Sequence, residues 1–215
     1  MRIDRWLLVL FVALASAAAP AAAQQLLDDM VIAVTNDRVA EVKRLLARGI
    51  DADSVGASGD PLIAIAARNG SSGALDALLA AKAHVDARNR HGETALMLAA
   101  LKGNLDMVKK LRARGASLDF PGWTPLIYAA TGGNDDVVGF LLDQGANIDA
   151  TSPNGTSALM MAVREHKIST AELLVSRGAN VNQRNQSGAT ALDYARQGNE
   201  TELAERLLRA GVRRP

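Results

Sequence analysis

Residues Gly122 to Gly133 read G-W-T-P-L-I-Y-A-A-T-G-G, and they decide between two kinds of structure. Three glycines with a threonine and a proline are compatible with a loop that cradles phosphate or with the boundaries of short helices. A P-loop needs Gly-Lys-Ser/Thr running from a strand into a helix, and the chain has no such run. Thr124 followed by Pro125 is instead typical of a helix start, with a hydroxyl N-cap and proline at the first helical position.

The stretch is repeated, because three kinds of position recur along the chain at nearly constant intervals. The residue that follows each leucine-rich run recurs at intervals of 33, 33, 30, 33 and 33, at Gly49, Lys82, Gly115, Gly145, Gly178 and Gly211. A turn position keeps the same intervals, at Asp37, Gly70, Gly103, Gly133, His166 and Asn199. The leucine position of the opening stretch recurs at Ile63, Leu96, Leu126, Leu159 and Leu192. A fixed period of this length predicts an array of stacked helical repeats.

Each unit carries the local signals of two short helices joined by a turn. Hydroxyl side chains stand where the first helix needs an N-cap, at Thr94, Thr124, Ser157 and Thr190. One second helix is predicted from about Leu105 to Arg114, with an apolar face at intervals of three residues. Left-handed glycines are expected to end the second helices, and Lys82 in that position is expected to cost about 1 kcal/mol. Segments such as residues 83–92 read as short hairpins with a turn rich in Asn and Gly.

On these residues the sequence resembles the ankyrin repeat family. The family pattern G-x-T-P-L-H-x-A-A-x-x-G is similar to Gly122–Gly133, and the closing pattern L-L-x-x-G-A-x-(V/I)-(N/D) is similar to Leu141–Asp149. The resemblance covers about residues 26–212. It implies an all-α, ankyrin-repeat solenoid of about six helix-turn-helix repeats joined by short β-hairpin loops, with polar capping repeats at both ends.

The resemblance also places the repeat boundaries and shows one departure from the family. The implied repeats are about residues 26–58, 59–91, 92–121, 122–154, 155–187 and 188–212. The histidine of the family pattern is absent from every unit and is replaced by Ala64, Met97, Ile127, Met160 and Asp193. We therefore expect packing to replace the hydrogen bond of that histidine.

Residues 1–23 are predicted to be a signal peptide, and residues 24–215 the ankyrin repeat domain. The segment carries arginines at positions 2 and 5, continues with an apolar run from Trp6 to Ala19, and reaches Pro20 before three alanines. This order is typical of a secretory signal peptide, here cleaved after Ala23. The alanine-rich style is bacterial, so we expect a periplasmic or secreted protein. The alternative is an uncleaved membrane anchor, because Trp6 to Ala23 is about 18 residues long.

Composition argues against several classes of function. The chain has 24 Lys+Arg against 23 Asp+Glu, so charge gives no reason to expect nucleic acid as a partner. The absence of cysteine removes thiolate metal sites and cysteine nucleophiles. The three histidines, His84, His91 and His166, lack metal-ligand spacing. We expect no enzyme activity, cofactor, metal or small-molecule substrate; the alternative is a hydrolase built on His166 and Ser169, or a metal-binding protein.

One group of carboxylates recurs once per repeat and is predicted to be architectural. Its members are Asp51, Asp53, Asp86, Asp119 and Asp149. A residue that returns at every period at the base of a loop is more typical of the scaffold than of a catalytic site.

By the resemblance, the function is that of a non-catalytic module that binds a protein partner on its concave face of hairpins and first helices. Membrane contact is expected only if the N-terminal segment is retained, and the protein is expected to be a monomer. The contact positions implied by the family, together with the neighbouring Phe120, are Arg68, Asn69, His91, Glu93, Leu101, Lys102, Phe120, Trp123, Thr131, Arg164, Glu165, Ser187 and Gln197.

The unit that begins at Gly122 differs from the others. Four of the five aromatic residues after Ala23 lie in or beside it, at Phe120, Trp123, Tyr128 and Phe140, and the hairpin before it is three residues shorter. Aromatic residues are enriched at binding hot spots. Trp123, Tyr128 and Phe140 also suit packing, whereas Phe120 has no equivalent packing role. We predict a local contact site at Phe120 and Trp123, with packing alone as the alternative.

Overall fold

A computed structural model describes residues 23–212, so the predicted signal peptide, apart from Ala23, lies outside the described residues. All regular secondary structure in this range is α-helical, which confirms the predicted fold class. The helices are α1 (23–35), α2 (Val39–Ala47), α3 (Leu62–Asn69), α4 (Ser72–Ala80), α5 (Ala95–Leu101), α6 (Leu105–Ala113), α7 (Pro125–Gly132), α8 (Asp135–Asp143), α9 (Ala158–Arg164), α10 (Ile168–Ser176), α11 (Ala191–Gln197) and α12 (Thr201–Val212). Within residues 23–212, none of these helices combines the length and apolarity needed to cross a membrane.

The first helices of four pairs begin at the predicted hydroxyl residues. At Thr94, Thr124, Ser157 and Thr190, the hydroxyl oxygen accepts the N–H of the third helical residue at 3.3 Å in every case. Such caps are worth about 1 kcal/mol each. Pro61 stands at the equivalent place before α3 and supplies no side-chain cap. The position of the short helices in the sequence is therefore fixed largely by local chemistry.

Two compact units make up the chain, one ending at His84 and the other beginning at Val85. In the N-terminal unit, α4 packs against α2 and α3. The Asp37 carboxylate accepts the N–H groups of Gly73 and Ala74, at 3.3 and 2.6 Å, at the start of α4. A Cβ atom on Gly73 would lie 2.4 Å from Val39 Cγ2, so glycine permits the close approach of α2 and α4.

In the C-terminal unit the first helices pack in sequence order, α5 on α7, α7 on α9 and α9 on α11. The second helices α6, α8, α10 and α12 follow the same order. Asn134 ties two successive pairs together, because its Nδ2 donates to the carbonyl oxygens of Ala100 and Leu101 at 2.8 and 3.0 Å. Each helix pair thus contacts its neighbours along the stack, as in repeat proteins generally.

Alanines lie where the first helices pack on one another, and leucines supply larger side chains to the core. Ala99, Ala129 and Ala162 are completely buried, which allows the first helices to approach closely. Leu96 and Leu126 are 0% and 1% exposed. Burying a leucine side chain of this kind contributes about 1.5–3 kcal/mol.

At the position of the missing family histidine, a buried apolar side chain replaces the hydrogen bond in four repeats, as predicted, but not in the last repeat. Met97, Ile127 and Met160 are buried, and so is Ala64. In the last unit the prediction is wrong, because Asp193 is exposed and its carboxylate accepts both the N–H and the O–H of Thr190 at 2.8 Å. This reciprocal arrangement is a capping box.

Most residues at the predicted glycine positions have a left-handed backbone conformation. Lys82 has φ +64°, which confirms its predicted strained conformation. His166, at the turn position of its pair, is also left-handed, with φ +55°. Such conformations cost about 1–2 kcal/mol for residues with a Cβ atom. The prediction is wrong at Gly211, which lies inside α12 rather than at its end.

The predicted hairpins are smaller than two paired strands. Within residues 23–212 they consist of single antiparallel bridges, which join Val55 to Pro61, Arg88 to Thr94 and Thr151 to Ser157. The loops that precede α7 and α11 have no bridge. The loop before α7 also lacks the hydrogen-bonded turn that the other loops share, such as the bond from the Asn185 N–H to the Ala189 carbonyl oxygen at 3.0 Å, because it is three residues shorter.

Candidate functional site

The loops between successive helix pairs of the C-terminal unit touch one another in order. We call them the loop row; it comprises residues 85–93, 116–123, 149–156 and 182–189. The Arg88 guanidinium lies 4.2 Å from the centre of the Phe120 ring. Gly122 lies against Pro153, since a Cβ atom on this glycine would be 3.1 Å from the proline Cγ. Gln186 Nε2 donates to the Pro153 carbonyl oxygen at 2.8 Å.

The loops of regular length support their backbone with one polar side chain. Asn89 Oδ1 accepts the N–H groups of His91 and Glu93, both at 2.9 Å. Asn185 Oδ1 does the same in the last loop and accepts the Ala189 N–H at 2.9 Å. In turns of this kind the side chain supplies an acceptor for backbone N–H groups within the loop itself.

The predicted carboxylates make backbone hydrogen bonds at the base of the loops between helix pairs. Asp53, Asp86 and Asp149 each accept the N–H of the residue 31 positions later, at 2.6, 3.0 and 2.8 Å. Asp51 accepts the N–H of Asp53 at 2.9 Å. These bonds confirm an architectural role for four of the five. Asp119, in the shortened loop, makes no such bond among the described residues.

We call residues 116–123 the short loop, and it carries an aromatic cluster. Trp123 and Tyr128 meet edge to face, with ring centres 5.9 Å apart and an interplanar angle of 78°. Tyr128 Oη donates to Glu93 Oε1 at 3.0 Å. Phe120 is half-buried beneath Arg88, whereas Trp123 remains 38% exposed. The cluster therefore joins the short loop to the regular loop before it.

Burial raises the pKa of the Tyr128 phenol well above its usual value, and the nearby Glu93 carboxylate raises it further by charge and by its hydrogen bond. The phenol is neutral at physiological pH and acts as a hydrogen-bond donor. Its hydrogen bond to Glu93 joins α7 to the loop at residues 85–93.

The sequence profile of the family described as ankyrin repeats in three copies matches residues 30–121, 63–152, 116–185 and 149–213. These overlapping matches run through nearly all of the described chain. The chain belongs to the ankyrin repeat family. No curated protein shows significant sequence similarity to the chain. Ankyrin repeats are protein–protein interaction modules, and proteins built from them are typically non-enzymatic scaffolds.

Within this ankyrin frame, the contact positions predicted in the N-terminal unit are engaged by their own unit. Arg68 makes two bonds of 2.8 Å to the buried carboxylate of Asp60. Asn69 Nδ2 donates to the Ile65 carbonyl oxygen at 2.8 Å and is exposed. A guanidinium held by two bonds to a buried carboxylate has a structural role.

Several predicted positions at the ends of the first helices face solvent. Lys102 and Gln197 are exposed, and Leu101 is half-buried. Thr131 is half-buried, and its hydroxyl donates to the Ile127 carbonyl oxygen at 2.8 Å. These helix ends offer a mixed polar and apolar surface.

Two predicted positions come together in one open cavity of the C-terminal unit. Arg164 and Gln197 line it with His166, Tyr194 and Gly198, and its volume is about 310 Å³. Arg164 Nε also donates to the carboxylate of the neighbouring Glu165 at 3.2 Å. Sequence reasoning missed Tyr194, although an aromatic residue at the same helical position, Tyr128, was visible two repeats earlier.

The loop positions His91, Glu93 and Ser187 lie in three different situations. His91 is exposed at a loop tip, and its Nε2 accepts from Arg90 Nε at 3.2 Å. Glu93 is half-buried and accepts from both Asn89 and Tyr128. Ser187 is exposed, and its hydroxyl donates to Asn185 at 2.7 Å. Of these, His91 and Ser187 remain open to a partner.

The alternative hydrolase and metal sites both involve His166 or the other histidines. Within residues 23–212, no group of three His, Asp or Glu side chains is placed to hold a metal ion. His166 Nδ1 lies 2.9 Å from Glu200 Oε1, an acidic partner that sequence reasoning missed because it is 34 residues away. In the same range no hydrogen bond joins His166 to Ser169.

Proposed function

We propose that this ankyrin repeat protein is an exported, non-catalytic binding protein that holds a protein partner on the loop row and the first-helix ends of residues 85–212. The observation that carries the proposal is the exposure of the Trp123 side chain on the short loop. Its indole is 38% exposed and touches the body of the protein by an edge contact with Tyr128. Trp, Tyr and Arg are the residues most enriched at interface hot spots, and Arg88 lies over Phe120 of the same short loop.

The surroundings of Trp123 support the same function. Phe120 brings a second aromatic ring to the short loop, and Pro121 beside it is exposed. Lys102 and His91 are exposed polar residues of the preceding repeats, at a helix end and a loop tip. Apolar anchors within a polar rim are the usual anatomy of a selective protein interface.

The proposal is tested by capture from cell-envelope extract on the immobilised protein. The double variant Phe120→Ala/Trp123→Ala is expected to lose the partner that the wild type retains. Phe140→Ala is the matched control, because Phe140 is a half-buried aromatic of α8 that also has a cation, Lys109, 5.9 Å from its ring centre. Thermal unfolding of all three proteins checks that the fold persists. Equal capture by wild type and double variant would remove this site.

Export is supported by the signal-peptide pattern of residues 1–23, with the periplasm as the destination. N-terminal sequencing of the protein purified from cells tests it. A chain that begins at Gln24 is the expected result. A chain that retains Met1 and fractionates with membranes would replace the exported protein by a membrane-tethered scaffold.

A further inference from the structure

The short loop lacks the three residues that form the exposed tip in its neighbours, and we call the place of this missing tip the gap. The tips on either side of it are exposed at Arg90 and His91 and at Pro153 and Asn154. Packed helices stand about 8–10 Å apart, so we expect the gap to be about that wide. An extended chain fits such a space, whereas a helix with its side chains is about 10–12 Å wide.

The floor of this gap is apolar. Trp123 is 38% exposed, Pro121 is exposed and Phe120 is half-buried. Pro153 is exposed on the next loop and lies against Gly122. Aromatic and proline faces in a groove are typical of sites that bind proline or aliphatic residues of an extended peptide.

One wall of the gap is positively charged. Arg88 and Arg90 are exposed, and within residues 23–212 neither forms a salt bridge, unlike Arg68, Arg164 and Arg177. The ring of Phe120 supports the Arg88 guanidinium at 4.2 Å. A guanidinium held flat on a ring still presents its N–H groups to a carboxylate at its edge.

The carboxylates of the regular loops near this wall are already engaged. Glu93 accepts from Asn89 Nδ2 at 2.8 Å and from Tyr128 Oη at 3.0 Å. Asp86 accepts a backbone N–H at 3.0 Å, and Asp149 accepts the Asn180 N–H. Asp119 is exposed next to Phe120, and within residues 23–212 its carboxylate makes none of these bonds. The charge left for a partner is therefore that of the two arginines, with one opposing carboxylate.

We propose that the short-loop patch, formed by Arg88, Arg90, Phe120, Pro121 and Trp123, binds an extended acidic segment of a protein partner. An apolar residue of that segment, proline or aliphatic, packs on Trp123. A neighbouring carboxylate pairs with the two arginines. This inference rests on the proposed function and specifies the chemistry that the partner presents there.

The test is selection from a library of random short peptides displayed on phage, with the purified exported protein, expected to begin at Gln24, as bait. Sequences that the wild type enriches over Trp123→Ala are expected to place Asp or Glu next to Pro, Leu, Ile or Val. The strongest of these is then made as a free peptide and titrated by fluorescence of Trp123, the sole tryptophan in the sequence after Ala23.

Charge reversal separates the arginine wall from the rest of the loop row. Arg88→Glu/Arg90→Glu is expected to weaken the acidic peptide at least about tenfold and to strengthen a version with lysine in place of its acidic residues. Arg184→Glu, in the loop at residues 182–189, is the matched control and is expected to change Kd by less than about twofold.

Three outcomes would overturn the inference. They are enrichment of basic or uncharged sequences, equal binding by wild type and Trp123→Ala, and no enrichment over that variant. None of these by itself removes the proposed function, because capture of a folded partner that depends on Phe120 and Trp123 would still stand. Failure of that capture removes the proposed function whatever the peptides show.

Discussion

Two neighbouring loops of the C-terminal unit solve the same structural problem differently. The loop at residues 85–93 closes on itself, since Asn89 accepts two backbone N–H groups and a bridge joins Arg88 to Thr94. The short loop has neither feature and is held by its neighbours, with Phe120 under Arg88 and Gly122 against Pro153. A repeat that lacks its own turn therefore depends on contacts with adjacent loops, and it exposes apolar groups.

The largest effect is expected from restoring the regular length of the short loop. Insertion of Ala-Arg-Asn between Asp119 and Phe120 reproduces the spacing of Asp86 to Gly92 and keeps both aromatic residues. Because the new tip would occupy the gap, capture of the partner is expected to fall at least about tenfold. The same tripeptide placed after Ser187 is the control. Undiminished capture, with an unchanged helical circular dichroism spectrum, would contradict the importance of the gap.

The next largest effect is a loss of stability when the loop at residues 85–93 loses its side-chain acceptor. Asn89→Ala removes the acceptor of the His91 and Glu93 N–H groups and is expected to lower the free energy of unfolding by about 2 kcal/mol. Asp119→Ala, in the short loop, is expected to change it by less than about 0.5 kcal/mol. Urea unfolding measures both. Similar losses at the two positions would mean that the loops are not supported differently.

A smaller effect is expected from two glycines that share a left-handed conformation. Gly92→Ala, at φ +76° with open space around it, is expected to cost about 1 kcal/mol from backbone strain alone. Gly122→Ala, at φ +91°, is expected to cost about 0.5–1 kcal/mol more, because its Cβ would press on Pro153. Thermal unfolding of the two variants gives the difference. A Gly122 variant no less stable than the Gly92 variant would show that contact with the next loop is unimportant.

The smallest effect is a pH dependence in the link between the two loops. The pKa of Tyr128 is raised in the folded protein by burial and by Glu93. A group with a raised folded pKa stabilises fully below its unfolded pKa, about 10 for tyrosine, and loses that contribution as pH rises through the folded value. The free energy of unfolding is thus expected to fall more steeply above pH 10 in the wild type than in Tyr128→Phe. Parallel curves would argue against the link.

Much of the fold could be predicted from the sequence because its determinants are local. The caps at Thr124 and Ser157, the left-handed Lys82 and the shortened loop before Gly122 each depend on residues a few positions apart. The sequence-based prediction was wrong at Asp193, where a solvent-exposed carboxylate found a local capping partner instead of a place in the core.

The candidate site was harder to predict because its contacts join residues about one repeat apart. Phe120 and Trp123 stood out as aromatics, but Arg88 over Phe120 and Glu93 beneath the Tyr128 hydroxyl depend on how a shortened loop meets a regular one. Arg68 has a partner that is close in the sequence. It occupies a position implied for partner contact, and its guanidinium makes two bonds of 2.8 Å to Asp60, eight residues before it.

The left-handed backbone at Lys82 also matters for engineering. A glycine there would relieve about 1 kcal/mol of steric conflict without removing a side-chain bond known in the structure. Asp37 has the same backbone conformation, yet its carboxylate caps α4, so the identical exchange would sacrifice that cap. Exchange for glycine is therefore expected to raise the thermal stability at Lys82 but not at Asp37.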